Sequence, residues 1–318
     1  MKKIVALLLA FAAAGALVAA PAQKSKTEKT KAEAKIKAEF VIIESDEYKA
    51  GQEDALLTAG ISQFLNAEPV VTRVSSKEAA ADPKLANLDY SFLPLYLIKK
   101  TDAIRTKLEQ HLKHGYAQEN DDFIILPRQT RQGVFNGKEA KPNVMEIFVM
   151  SQCPYGAMAE NLVIQAQKDG KIPQGKEIKL RYIVNYDEKN GFNSLHGSAE
   201  WEENVRQLLI AKYYPAKLWK YLEIRNKDYR SSRWDKAMEE AGINSKKIMK
   251  KFDSEGIELL KQEAKYVAEY GIGASPTFLW EGKVQLDFGS ASEIEGFGFL
   301  NPNAAKTGAA AQAPAGSC

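Results

Sequence analysis

The apolar positions of this chain fall in short runs separated by charged stretches, and the runs come in two similar series. In the first, residues 40–44 read as a strand and residues 54–66 as a helix carrying Leu56, Leu57, Ile61, Phe64 and Leu65 on one side. A second strand follows over 70–75. Further strands are predicted over 92–98, which contains Leu93-Pro94, and over 123–126, with a helix over 101–114 between them. The second series is clearer. It runs strand (145–150), helix (157–167), strand (178–184), then a helical stretch from 198 to 270 broken near Pro215 and at Gly242-Ile243-Asn244. After Ser275-Pro276-Thr277-Phe278-Leu279-Trp280, the turn Glu281-Gly282-Lys283 and a strand over 284–288 predict a hairpin. Residues 140–143, with Pro142, separate the series, so the pattern predicts α/β domains over 39–139 and 143–300.

The ends carry no such pattern. Lys2 and Lys3 precede an apolar run over 4–19 and the small-residue stretch Ala20-Pro21-Ala22, the order of a secretory signal cut after Ala22. A retained N-terminal anchor is the alternative, although the run is short for a membrane span and no other segment approaches it. Residues 23–38 alternate Lys, Thr, Ala and Glu and read as a charged linker. The tail over 301–318 is rich in Ala, Gly, Pro and Gln and is expected to be flexible, with a reach of roughly 20–25 Å. Its last residue is Cys318.

Composition narrows the chemistry. Removing Lys2 and Lys3 from the 44 basic residues leaves 42 against 41 acidic ones, which offers no footprint for nucleic acid. The cysteines, Cys153 and Cys318, are too few for a disulfide scaffold in an exported chain, so a thiol here is expected to do chemistry. There is no phosphate loop, dinucleotide fingerprint, serine elbow or zinc spacing, and no cofactor or metal is expected. His111 and His114 share a helix face without a third ligand and read as surface. His196 reads as a turn or capping residue. The aromatic residues of the helical stretch, from Trp201 to Trp234, read mainly as packing.

Cys153 stands between a strand and a helix. Pro154 suits a first helical position, which places Cys153 near the N-cap, where the helix dipole favours the thiolate. With Cys153-Pro154-Tyr155-Gly156 and Ser275-Pro276-Thr277-Phe278 both in view, residues 143–300 resemble the DsbA-like branch of the thioredoxin superfamily, with a helical insertion over about 198–265. The first series has the same strand order and Pro94 at a strand start, and so resembles a thioredoxin-like domain without cysteine.

The resemblance implies a thiol–disulfide oxidoreductase in which Cys153 attacks a substrate sulfur and a cis Pro276 faces it. Pro154, Tyr155, Ser275 and Thr277 would contact the substrate. It also implies a second cysteine three residues after the first, where this chain has Gly156. Such a monothiol site suits isomerase-, reductase- or capture-like exchange on polypeptide thiols or disulfides, with a redox partner protein or small thiol, in the periplasm or outside the cell. Cys318 is a candidate resolving thiol; pairing with small thiols or with another chain is the alternative. A redox-silent polypeptide-binding module and an envelope-assembly component remain open beside the exchange reading.

Overall fold

The computed structural model describes residues 35–46, 53–126, 132–303 and 318. The expected signal sequence, the linker up to residue 34 and tail residues 304–317 lie outside them. The chain divides into two compact units, Met1–Thr130 and Arg131–Cys318.

In the first unit β1 (Ile36–Glu44), α1 (Glu53–Leu65) and β2 (Ala67–Ser75) form a βαβ unit, and α2 (Ser76–Ala81) follows with a capping box between Ser75 and Glu78. A two-residue strand β3 (Phe92–Leu93) precedes the cis Leu93–Pro94 bond. Then come β4 (Leu95–Lys99), α3 (Asp102–Lys107), α4 (Glu109–Lys113), β5 (Gln118–Glu119) and β6 (Phe123–Leu126). The strand order is β2-β1-β4-β6-β5, with β1 and β2 parallel and the remaining pairs antiparallel. Apolar side chains bury on both faces of this sheet: Ala38, Phe40, Ile42, Tyr96 and Ile98 in one cluster, Ile43, Leu93, Leu95, Leu97 and Phe123 in the other.

Three expectations change here. The sheet begins at Ile36, inside the segment read as linker to residue 38, because Ala38 and Phe40 alternate inward against exposed Lys37 and Glu39. In α1 the buried face is Thr58, Ile61, Ser62 and Leu65, while Leu56 and Phe64 are exposed, so the apolar side drawn from the sequence is rotated. The single helix over 101–114 is two, meeting at Leu108, and Thr101 caps the first by accepting from the Ile104 N–H at 3.3 Å.

The second unit begins with β7 (Gly133–Phe135), which pairs with a later strand and moves the boundary from the expected 139–143 to 130/131. It continues with β8 (Val144–Val149), α5 (Pro154–Lys168), β9 (Glu177–Tyr182) and a small ribbon of β10 (Asn185–Asp187) and β11 (Gly191–Asn193). The helical stretch resolves into α6 (Ser198–Tyr213), α7 (Leu218–Arg225), α8 (Trp234–Glu240), α9 (Ser245–Met249), a π-type turn at Phe252–Gly256 and α10 (Ile257–Tyr270). Gly256 allows a close approach there, since a Cβ on it would lie 2.5 Å from Val205 Cγ1. Finally come β12 (Thr277–Trp280), β13 (Val284–Leu286) and α11 (Phe288–Glu293). The last is a helix the sequence pattern missed, started by an Asp287–Ser290 capping box where a strand was expected to continue.

Within this unit the strands lie β7-β13-β12-β8-β9, with only β8 and β9 parallel and the β12–β13 hairpin as expected. This is the strand order expected of a thioredoxin-like fold, and the helical insertion falls between β9 and β12. Val205, Leu209, Tyr221, Met238 and Leu260 centre the insertion's own core, with Trp201, Tyr213, Tyr214 and Trp234 packed on it. Glu146 of β8 is fully buried and accepts from Arg181 Nε at 2.7 Å, Tyr266 Oη at 2.7 Å and Lys141 Nζ at 3.1 Å. Burial pushes this carboxyl up, but the Tyr266 hydrogen bond and the Arg181 charge outweigh it and hold it below its ordinary value. Arg181 also reaches Glu263 at 2.8 Å, tying α10 to the sheet.

Candidate thiol site

The site grows out of the end of β8. Met145 through Val149 are buried, so this central strand delivers the chain to a fixed point before it turns. Three backbone donors of the turn that follows find acceptors. The Met150 N–H donates to Ser275 Oγ at 2.9 Å, the Gln152 N–H to Glu200 Oε2 at 3.2 Å, and the Cys153 N–H to the Met150 carbonyl at 3.0 Å. Ser151 adds a bond from its hydroxyl to the Glu200 carbonyl at 3.1 Å. Cys153 is the N-cap of α5, with extended backbone angles, Pro154 at the first helical position and no side-chain cap. The Ala157 N–H closes the first turn on the Cys153 carbonyl at 3.0 Å. The uncapped N-terminal turn leaves the positive end of the helix directed at the sulfur.

Across from it the Ser275–Pro276 bond is cis, and Ser275 and Pro276 are buried. The Ser275 carbonyl oxygen is 3.5 Å from Cys153 Sγ. Cys318 is joined to both. Its sulfur is bonded to that of Cys153 at 2.10 Å, with the α-carbons 6.1 Å apart across 165 residues of sequence. Its main chain is engaged as well: the Ser275 N–H donates to the Cys318 carbonyl at 3.2 Å, and the Cys318 N–H donates to the Ser275 carbonyl at 3.0 Å. Two residues exchanging both bonds make the hydrogen-bonded pair of an antiparallel ladder. Cys318 is therefore held by a ladder-like pair of main-chain bonds beside the cis-proline turn, in addition to its covalent bond.

Gly156 is filled from outside. A Cβ there would stand 2.8 Å from Ser275 Oγ, 3.0 Å from the Met150 carbonyl and 3.3 Å from Val149 Cβ. The position from which a neighbouring cysteine would reach Cys153 is thus closed by the hydroxyl that holds Met150.

The other residues singled out from sequence divide. Pro154 is exposed and Tyr155 half-buried. Thr277 is buried, and its hydroxyl donates to the Ala274 carbonyl at 2.7 Å, which leaves it a turn-fixing part. His196 does lie at a helix start, with Nδ1 at 2.6 Å from Glu200 Oε2. Glu200 was missed. It is fully buried, accepts from Gln152 next to the thiol and faces His196, and an acidic residue in the first turn of α6 was the only signal for it. Glu160, on the buried face of α5, was also missed; burial above all, with repulsion from Glu203, pushes its carboxyl up to about 7, against a hydrogen bond from Asn226. His111 and His114 join no metal set, and among the described residues no group of three or more His, Cys, Asp or Glu is placed to hold a metal ion. No helix among those residues is long and apolar enough to cross a membrane.

No family model and no curated protein matches the chain. Solved structures similar to it include the DsbA disulfide interchange protein of Klebsiella pneumoniae, at 16% identity and a TM-score of 0.35 over 52% of this chain and 86% of that one. BdbD of Bacillus subtilis, in its oxidised form, matches at 18% identity and a TM-score of 0.38 over 55% and 95%. DsbA of Proteus mirabilis with a non-covalently bound peptide matches at 12% identity and a TM-score of 0.38 over 57% and 95%. What the site can do is decided by its own atoms.

Proposed function

We propose that this is an exported thiol–disulfide exchange protein that acts on polypeptide thiols or disulfides through Cys153, with Cys318 as the second thiol of its cycle. The observation that carries this is the bond between Cys153 and Cys318 beside a cis-proline turn whose main chain also holds Cys318. In the reducing direction the Cys153 thiolate attacks a substrate disulfide, forms a mixed disulfide and expels one substrate thiolate. The Cys318 thiolate then attacks the Cys153 sulfur and expels the other. The substrate is reduced by two electrons, and the Cys153–Cys318 bond stores the oxidation until an outside thiol or redox protein removes it. The positive end of α5 favours the attacking thiolate.

Pro154 and Tyr155 form the rim against which the substrate lies, and Ser275 supplies the backbone edge for it. Export is supported by the basic, apolar and small-residue order of residues 1–22, and by a disulfide, which persists in oxidising compartments. The first unit is proposed as a thioredoxin-like domain that contributes no thiol, on the ground of its strand order. The test is reduction of a disulfide-bonded polypeptide by the pre-reduced protein. Turnover by the native chain, none by Cys153→Ser, and a trapped substrate adduct on Cys153 in Cys318→Ser are expected. An inert Cys153 would leave a binding module.

A further inference from the structure

We propose that the thiol which reopens the oxidised site attacks Cys318, and that Cys153 is the sulfur that leaves. This rests on the exchange function proposed above and fixes where electrons enter it. Two independent features point the same way. With Cys318 in place Cys153 is 0% exposed, whereas Cys318 retains partial exposure, so solvent meets this pair on the Cys318 side. The backbone edge that would align a polypeptide on Cys153 is also taken, because both the N–H and the carbonyl of Ser275 are bonded to Cys318.

The chemistry of the two leaving groups agrees. Attack on Cys318 expels the thiolate of Cys153 at an uncapped helix N-terminus, where negative charge is favoured, and a more stable thiolate leaves faster. Attack on Cys153 would instead expel Cys318, which is the N-cap of no helix among the described residues.

The step balances. A small or peptidyl thiolate, RS⁻, bonds to Cys318 Sγ; the Cys153–Cys318 bond breaks, and its electron pair leaves with Cys153. A second RS⁻ then attacks the R sulfur of the adduct, releasing RSSR and the Cys318 thiolate. Two electrons pass from two thiols to the protein. The order of events follows: Cys318 is released from Ser275 by reduction before a polypeptide can dock there, so reductant and substrate take turns at the site. Cys318 is the receiving end for one and the resolving end for the other.

The experiment mixes the oxidised native chain with glutathione, quenches with acid at millisecond intervals, alkylates the free thiols and maps the peptides without reduction. At the earliest times glutathione is expected on the Cys318 peptide in roughly tenfold excess over the Cys153 peptide, with Cys153 recovered alkylated. Glutathione on Cys153 with Cys318 alkylated would overturn the inference and leave the exchange function standing. A bond that glutathione does not open, or one that never joins these two peptides, would overturn both.

Discussion

The residue before each cis proline occupies the same place in the two units and has opposite uses. Leu95, two residues after Leu93, pairs with Ile43, one residue short of the end of β1; Thr277, two after Ser275, pairs with Phe148, one short of the end of β8. By register, then, Leu93 and Ser275 are equivalent. Leu93 is fully buried in an apolar cluster with Ile43, Leu95, Leu97 and Phe123. Ser275 is equally buried, but its hydroxyl holds Met150 and its main chain holds Cys318. The contrast extends inward. Among the described residues the first unit buries no charged side chain, whereas the second buries Glu146, Glu160, Glu200, Glu203, Arg206, Arg225 and Glu263. One strand order serves as a packed body in one case and as a frame for polar chemistry in the other, so function belongs to the side chains placed on the frame.

The sharpest way to break this comparison is to remove the sulfur. Cys153→Ser should reduce exchange on a polypeptide disulfide to the uncatalysed background, while Leu93→Ala leaves the rate unchanged. Retained turnover in the first variant would move the chemistry elsewhere.

Leu93→Ala should act on stability instead, costing about 2–5 kcal/mol in denaturant unfolding because a fully buried leucine leaves a cavity. A cost under about 0.5 kcal/mol, the range of ordinary surface substitutions, would contradict the role of Leu93 as core.

The buried charges make the second unit sensitive to pH in a way the first is not. Glu160 has its pKa raised from 4.5 to about 7 in the folded chain, so between those values the folded protein keeps a proton that the unfolded chain has lost. Its contribution is fully present below pH 4.5 and declines as pH rises toward 7, by about 3 kcal/mol at most. Glu160→Gln should flatten that slope and make the protein more stable than the native chain at alkaline pH. Unfolding free energies measured across this range with an unchanged slope would exclude Glu160 as its source.

The smallest effect concerns Gly156. Gly156→Cys should cost about 1–3 kcal/mol, since its Cβ meets Ser275 Oγ at 2.8 Å and the Met150 carbonyl at 3.0 Å. Adding Ser275→Ala should recover part of that loss, because the two positions touch. Full additivity in melting experiments would show that the hydroxyl does not close the site.

Much of this contrast is legible in the sequence because it rests on local signals. The run into Cys153-Pro154, the proline after Ser275 and the Gly282 hairpin each specify a backbone event within a few residues. The linker end and the α1 face were misread for a related reason. Charged residues at every second position hide a strand such as Ile36-Lys37-Ala38-Glu39-Phe40, and on α1 the buried Thr58 and Ser62 displaced the exposed Leu56 and Phe64. Glu160 and Glu200 were invisible because their burial depends on helices 40 to 70 residues away, such as α7 with Asn226 over Glu160, or on the turn at Gln152. The clash at Gly156 needs Ser275 from the far side of the fold, and no local pattern records it.

The most direct test of the pairing of Cys153 with Cys318 is mass spectrometry of mildly oxidised native protein digested without reduction. A single linked pair of peptides, one carrying Cys153 and the other Cys318, from monomeric protein is the expected result. Recovery of Cys153 only as adducts with small thiols or with other chains, and no peptide joined to Cys318, would contradict it.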